Sequence, residues 1–225
     1  MIQDKKVLAI IPARANSKRL KNKNIKNFCG KPLIHWTIKQ AKNCSLIDKV
    51  VVSTDSEKIK NISIESGAEV PFLRPRNLAK DDSKTNDTVI HLLENIKYFF
   101  DIIILLQPTS PLRKNNHIID ALNYFMQEDE IESLVSIKTK SNIISNKKKL
   151  IFNLFDESTL NLNEKKLPKS FYPNGSIYIS SKSLFLKNKT FYTEKTYLYL
   201  MDNKYSIDID YDKDFLYAEE LFKKL

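Results

Sequence analysis

Glycine and cysteine are scarce in this sequence, which has three glycines and two cysteines in 225 residues. It contains neither a GxxxxGK[ST] nor a GxGxxG pattern, which excludes the P-loop and the dinucleotide fingerprint as phosphate sites. Any phosphate site must therefore rely on side chains more than on glycine-rich backbone. The two cysteines, Cys29 and Cys44, lack the spacing of a zinc site and are typical of reduced cytosolic thiols.

The sequence also lacks the motifs of nucleophilic catalysis, membrane attachment and nucleic-acid binding. The three histidines fall in separate helical patterns, so no Ser/His/Asp or Cys/His nucleophilic system is indicated. The first apolar run, residues 7 to 11, is too short for a signal sequence or a membrane span, and we expect a cytoplasmic protein without membrane attachment. The net charge is +10, but no helix-turn-helix, zinc-finger or RNP motif accompanies it. We expect small anions rather than nucleic acid as ligands, with a polyanion-binding module as the remaining alternative.

Apolar segments of strand and helix type alternate along the chain and are joined by short connections. This pattern predicts right-handed βαβ units and a mainly parallel sheet in one α/β domain, residues 1 to 225. Thr54 or Asp55 is expected to cap the second helix. Residues 139 to 173 are polar and weakly periodic, and we interpret them as an inserted β-rich arm. The predicted strands include 49–53, 102–106 and 133–137, and the predicted helices include 86–99, 117–126 and 212–224.

The segment IPARANSKRLKNKN, residues 11 to 24, follows the first predicted strand. It contains five cations and no acid. Open α/β sheets bind their ligands at the carboxyl ends of the strands, where this segment lies. Cations above a turn add charge-assisted hydrogen bonds to phosphate oxygens. The segment therefore predicts a phosphate site, although a solvated surface loop is the alternative.

The segment SIDID places Asp208 and Asp210 two residues apart near the end of the chain. In a strand both carboxylates would point to one face, with Ile207 and Ile209 on the other. Oxygen ligands of this kind suit Mg²⁺ when waters and substrate phosphates complete its coordination. A helix cap plus an exposed acid is the alternative interpretation.

Three further polar residues, Gln107, Arg74 and Asn174, each precede a proline or a glycine, the residue types that most affect backbone conformation. Gln107 follows a strand and precedes Pro108, which suits an amide that binds a hydroxylated ligand. Arg74 is held extended before Pro75, and either reads a base edge or only solvates the surface. Asn174 and Gly175 either open a strand or form a turn.

Seven segments, in this order, resemble the motifs of acylneuraminate cytidylyltransferases, the CMP-sialic acid synthetases and their relatives that act on other nonulosonic acids. The resemblance covers almost the whole chain and is specific by order and spacing together. It implies a three-layer Rossmann-like nucleotidyltransferase fold and a homodimer in which a dimerisation arm like 139 to 173 reaches over the partner's active site. The segments are IPARANSKRLKNKN, GKPLI (30 to 34), VVVSTDSEKI (50 to 59), FLRP (72 to 75), LLQPTSPLR (105 to 113), LPKSFYPNGSIYI (167 to 179) and SIDID.

The resemblance also implies a reaction and a site. The reaction is attack of the sugar's anomeric hydroxyl on the α-phosphorus of CTP, with release of pyrophosphate. The implied catalytic residues are Arg14, Lys18, Lys23 and Asp210, and the implied ligands of Mg²⁺ (or Mn²⁺) are Asp208 and Asp210. The implied nucleotide contacts are Ala13, Arg14, Asn16, Ser17, Asn24, Arg74 and Thr85, and the implied sugar contacts are Gln107, Lys166 and Asn174.

Two departures from the family pattern leave the sugar open. Glu164 stands where relatives commonly carry an arginine for the sugar carboxylate, and Lys166 is the residue that would take over this charge. The segment LQPTSPLR favours a sialic or legionaminic acid, whereas Arg19 is also found in enzymes for other acids, which keeps pseudaminic and 3-deoxy-octulosonic acid as alternatives. Arg19 itself is left with three possible partners: phosphate, sugar or water.

Overall fold

A computed structural model of the chain describes residues 5–127, 130–139, 151–153 and 171–225, and only the backbone of 151–153. The strands are β1 Val7–Pro12, β2 Asn27–Phe28, β3 Lys31–Pro32, β4 Lys49–Ser53, β5 Ile102–Leu106, β6 Ser133–Thr139, β7 Ile151–Asn153, β8 Phe171–Ser181 and β9 Thr196–Leu200. The α-helices are α1 Leu33–Lys42, α2 Glu57–Glu65, α3 Thr85–Asn95, α4 Asn115–Gln127, α5 Lys182–Asn188 and α6 Asp212–Phe222.

Seven strands of the described residues form one sheet in the order β4-β1-β5-β8-β6-β9-β7. Strand β1 pairs in parallel with β4 and β5, and β6 pairs in parallel with β9. Strand β8 lies antiparallel between β5 and β6, and β7 is antiparallel to β9. Since only β8 and β7 run against the others, the prediction of a mainly parallel sheet is confirmed.

The sheet is covered on both faces because strands such as β1 and β5 are apolar throughout. Along β1, Val7, Ala9 and Ile11 pack with one cluster that includes α1 and α4. Leu8 and Ile10 pack with the opposite cluster, which includes α3 and α5. Alternate residues of a strand point to opposite faces, so continuous apolar strands require a layer of helices on each side. This arrangement confirms the three-layer prediction.

Helix α6 packs against residues 11–24, which are called the basic segment from here on. Its residues Phe215 and Ala218 pack with Leu20, Phe28 and Leu33 in a separate apolar cluster. The ring of Phe28 meets that of Phe215 edge to face, with centroids 5.4 Å apart. The C-terminal helix therefore fixes the end of the segment that follows β1, almost 190 residues away in sequence.

Some local predictions were wrong. Helix α2 is capped by Ser56, whose hydroxyl accepts a hydrogen bond from Ile59 N, and not by Thr54 or Asp55. Helix α3 ends at Asn95 rather than at Phe99. Residues 206–210 are not a strand, because Ile209 N donates to Thr109 O instead of joining the sheet ladder. Of the predicted arm at 139–173, the part from 140 to 150 and from 154 to 170 lies outside the described residues.

Candidate functional site

The basic segment follows β1 at the carboxyl end of the sheet and is anchored to the neighbouring strand. Ala13 N donates to Ser53 O at 2.9 Å, and Ala15 N donates to a carboxylate oxygen of Asp55 at 2.9 Å. Asp55 is thus an anchor of the segment, a role that the sequence interpretation missed. The available signal was an acid at the carboxyl end of the strand that pairs with β1.

Within the segment, three predicted nucleotide contacts differ in exposure. Asn24 is buried and donates from its side-chain amide to Arg14 O at 3.0 Å, so it shapes the turn. Asn22 supports the same turn by adopting a left-handed conformation, with φ of 55°. Asn16 is exposed and Ser17 partly exposed on the outer arc of the segment. The segment therefore combines a fixed inner turn with an accessible outer arc.

Two of its cations share one acid. Arg14 and Lys18 lie 3.0 and 2.6 Å from the carboxylate of Asp81, and Arg14 also donates to Lys80 O at 2.6 Å. The hydrogen bond from Lys18 lowers the pKa of Asp81. An acid of the chain therefore lies between two cations that were predicted to bind phosphate. The sequence interpretation had treated Asp81 only as part of a polar loop.

Two further cations of the segment share Asp210. Lys23 is almost buried, and its ammonium group donates to Ile209 O at 2.6 Å and to one oxygen of Asp210 at 3.1 Å. Arg19 donates to the other oxygen of Asp210 at 2.6 Å. These contacts bring residues 11–24 and residues 206–210 into one site, as the sequence interpretation expected. They also give Arg19 a partner that had not been considered.

Asp208 lies beside this group in a different electrostatic setting. It is partly buried and makes no ion pair with any residue that the structure describes. Burial raises the pKa of Asp208, and the like charge of Asp210 adds to this rise, while a hydrogen bond with Thr109 and the charges of Lys23 and Lys138 oppose it. A cation bound directly to this carboxylate would offset the cost of its burial.

Gly175 forms the wall between Asp208 and Gln107. A Cβ at this position would lie 3.3 Å from Gln107 Oε1 and 3.4 Å from Asp208 Oδ2, and the backbone has φ of +74°. Only glycine adopts this conformation without strain and leaves both oxygens in place. The predicted turn at Asn174–Gly175 is instead an irregularity inside β8, where four residues face the single residue Ser136 of β6.

Asn174 has a positioning role rather than the predicted contact with the sugar. Its side chain is buried, its amide oxygen accepts a hydrogen bond from Ser136 Oγ at 2.6 Å, and its amide nitrogen donates to Ser206 Oγ at 2.9 Å. It therefore links β6 and β8 to the start of the segment that carries Asp208. Because both ends of the amide have partners within the protein, this side chain holds neighbouring segments in place and does not itself face a ligand.

Arg74 lies on the other side of the segment and is buried. Its Nη1 donates to Thr88 Oγ1 at 2.8 Å, and its Nη2 lies 4.0 Å from Asp55. Burial lowers the pKa of Arg74, Asp55 opposes this effect, and Arg14 adds to it. Two nitrogen atoms, Nε and Nη2, have no hydrogen-bond partner among the described residues. Thr85, three residues before Thr88, begins the same helix, so the two predicted nucleotide contacts face the same region.

These contacts form one continuous set at the carboxyl ends of β1, β4 and β5. It runs from Arg74 past Arg14 to Lys23 and Asp210, and then through Asp208 to Gln107. Cations lie at one end, carboxylates in the middle, and a neutral amide at the other end. The arrangement can bind an anion next to a hard cation, and the amide of Gln107 can form hydrogen bonds with a hydroxylated molecule. Lys166 lies outside the described residues.

The described part of the chain has no helix that is long and apolar enough to cross a membrane. It also has no group of three or more His, Cys, Asp or Glu side chains placed to bind a metal ion.

Comparison with known proteins gives consistent matches over the whole chain. A protein-family model described as cytidylyltransferase matches residues 8–225. A CMP-N,N'-diacetyllegionaminic acid synthase of Legionella pneumophila is 39% identical, with 97% of each chain covered. An N-acylneuraminate cytidylyltransferase of Escherichia coli O18:K1:H7 is 37% identical over 97% of this chain, which spans about half (52%) of that relative.

The fold also has solved counterparts. The structure of CMP:2-keto-3-deoxy-manno-octonic acid synthetase complexed with CTP superposes with a TM-score of 0.74 at 16% identity, covering 97% of this chain and 99% of the other. At this identity the likeness concerns the fold. It shows that the layered sheet described above has the same Rossmann-like architecture as that solved structure.

Proposed function

This chain belongs to the cytidylyltransferase family, and from that premise we propose that it transfers CMP from CTP to the anomeric hydroxyl of a nonulosonic acid. The observation that carries the proposal is that Arg19 and Lys23 of residues 11–24 pair with Asp210, which joins this cationic segment to the acids at 208 and 210. We propose an acid of the sialic or legionaminic type as the acceptor. This choice is supported by the names of the two relatives at 39% and 37% identity.

For the nucleotide, Arg14, Lys18 and Lys23 supply positive charge where the triphosphate and the departing pyrophosphate would lie. Phosphoryl transfer depends mainly on positioning and on neutralising charge, so such residues account for most of the expected rate. Arg74 offers two buried nitrogen atoms, Nε and Nη2, that have no acceptor among the described residues. The carbonyl oxygen and ring nitrogen of cytosine are acceptors that would satisfy them, which is a physical basis for choosing CTP.

For the metal, the donor set fits Mg²⁺, and Mn²⁺ has similar requirements. Asp208 is partly buried without an ion pair in the described chain, and a hard cation would compensate it. The ion would supply Lewis-acid neutralisation of phosphate oxygens. Asp210 would be the second protein ligand, and Gly175 keeps the backbone close to Asp208 so that the carboxylate has a fixed position.

For the sugar, Gln107 is the described side chain with the most suitable position. Its amide oxygen lies against Gly175 and 3.4 Å from Thr109 Oγ1, which leaves the amide nitrogen to donate to a sugar oxygen. We propose that Lys166 adds a positive charge near the sugar carboxylate. We further propose a homodimer that works in the cytoplasm, and the free thiols of Cys29 and Cys44 agree with a reducing compartment.

A pyrophosphate-release assay tests the proposed function. The purified chain is incubated with CTP, Mg²⁺ and, in turn, N-acetylneuraminic, legionaminic, pseudaminic and 3-deoxy-octulosonic acid. We expect release with CTP and a sialic or legionaminic acid, and little release when UTP or ATP replaces CTP. Absence of release with every acid would contradict the proposal, and release only with one of the last two acids would correct the substrate.

Replacing Asp81 should strengthen CTP binding. Asp81 occupies Arg14 and Lys18, so a triphosphate must displace it before it gains both cations. Exposed ion pairs are weak, and we expect Asp81→Asn to lower the KM for CTP by about two- to fivefold. Steady-state kinetics with Asp82→Asn as the matched control measure this effect. An unchanged or higher KM in Asp81→Asn would show that Asp81 does not compete with the nucleotide.

A further inference from the structure

Both carboxylate oxygens of Asp210 are occupied by cations of the chain. Arg19 Nη1 lies 2.6 Å from one oxygen, and Lys23 Nζ lies 3.1 Å from the other. Asp208, the other member of the acidic pair, makes no ion pair with the described residues. The two carboxylates therefore differ: Asp210 is in direct ion pairs with two cations, and Asp208 is in none among the described residues.

The two cations on Asp210 also differ in freedom. The Lys23 side chain is only 11% exposed and is fixed by its second hydrogen bond, to Ile209 O at 2.6 Å. The Arg19 side chain is 58% exposed, and its other contact is a loose one, with the guanidinium carbon 5.6 Å from the centre of the Tyr211 ring. Arg19 can therefore leave Asp210 without breaking a buried hydrogen bond, and Lys23 cannot.

We propose that Arg19 is an internal competitor of the divalent cation: it occupies Asp210 in the enzyme without nucleotide and lowers the affinity for the metal alone. This inference rests on the proposed function, because it assumes that Asp208 and Asp210 bind the metal. When the metal arrives with CTP, Arg19 exchanges Asp210 for a phosphate oxygen, while Lys23 stays in place. When the metal displaces Arg19 from Asp210, the triphosphate thus becomes the new partner of Arg19.

Thermodynamic linkage gives this exchange a measurable consequence. If CTP provides the partner that releases Arg19 from Asp210, CTP and the metal must strengthen each other's binding by the same factor. Without Arg19, the metal would bind the Asp210 oxygen that Arg19 occupies without having to displace a cation of the chain, and part of this coupling would disappear. An exposed ion pair with no functional role would leave both the affinity and the coupling unchanged.

The experiment is a titration of the full chain with Mn²⁺, in which electron paramagnetic resonance measures the free ion. The variants are Arg19→Gln, Arg19→Lys and, as a matched control, Lys21→Gln. Lys21 is exposed on the same segment and pairs with no acid among the described residues. We expect Arg19→Gln to bind Mn²⁺ alone about fivefold more tightly than the wild type, which corresponds to one exposed charge next to the site. Arg19→Lys and Lys21→Gln should stay within about twofold of the wild type.

The same titration with saturating CTP measures the coupling, which should be smaller in Arg19→Gln than in the wild type. Equal affinities in the wild type and Arg19→Gln would overturn the proposal. Asp208→Asn in the Arg19→Gln background separates the two levels of inference. If it removes Mn²⁺ binding while Arg19 has no effect, the metal site stands and the role of Arg19 fails. If Mn²⁺ still binds, the metal assignment itself fails.

Discussion

Asp210→Asn is expected to reduce kcat for pyrophosphate release by at least about a thousandfold, the scale seen when charge stabilisation at a transition state is lost. The amide has no negative charge for a divalent cation, and Lys23 and Arg19 would lose their shared partner. The fold should persist, because partly exposed ion pairs add little stability and the backbone N–H of residue 210 is bonded to Asp214.

The measurement is pyrophosphate release at saturating CTP and sugar over a range of Mg²⁺ concentrations, with near-UV circular dichroism and Tm to verify folding. Asp212→Asn is the matched control, since Asp212 is an exposed acid two residues later that pairs with Lys26 at 2.7 Å. We expect it to change kcat by less than about twofold, as a partner in one exposed ion pair. Full activity of Asp210→Asn with Mg²⁺ would refute the metal assignment.

Gly175→Ala is expected to lower kcat by about a hundredfold, because small displacements of groups around reacting atoms have effects of that size. The added Cβ would meet Gln107 Oε1 at 3.3 Å and Asp208 Oδ2 at 3.4 Å. Either these side chains shift or the backbone of β8 moves. Both changes separate the proposed metal ligand from the proposed sugar contact.

A control is needed that distinguishes the strain of a left-handed alanine from the displacement of Gln107 and Asp208. Gly67 has φ of +95° at the end of α2, and a Cβ there would meet only the flexible side chain of Lys42 at 3.8 Å. We expect Gly67→Ala and Gly175→Ala each to lose about 1 to 2 kcal/mol of stability from left-handed strain. Only Gly175→Ala should lose activity at a temperature where both are folded. Similar kcat values in the two variants would show that Gly175 has only a backbone role.

The sheet could be predicted because its signals are local. Runs such as residues 50–52 and Ile102–Leu106 are apolar at every position, and such runs are stable only between two layers of helices. The alternation of these runs with amphipathic segments then fixed the order of the layers. Element ends were less predictable. Thr54, Asp55 and Ser56 are all suitable caps by type, and only the path of the backbone selected Ser56.

The charged residues of the site could be predicted from the sequence, but their partners could not. Clustered cations in residues 11–24 and paired acids at 208 and 210 are visible in the sequence, but their partners are not. Asp81 is more than sixty residues from the cations that it pairs with, and Arg19 is 191 residues from Asp210. Asn174 carries the right chemistry for a ligand contact. Burial between β6 and β8 instead directs both ends of its amide to the protein.

The sequence by itself determined the layered α/β architecture, the cationic character of the segment after β1 and the presence of two acids near the C-terminus. These properties depend on the spacing and type of neighbouring residues. Only the tertiary structure decided which cation faces which acid, because those distances depend on how the strands order and how α6 packs beneath the segment. It also decided that Asp210 is in direct ion pairs with Arg19 and Lys23 while Asp208 is in none among the described residues, a difference that two identical side chains in the same motif cannot reveal.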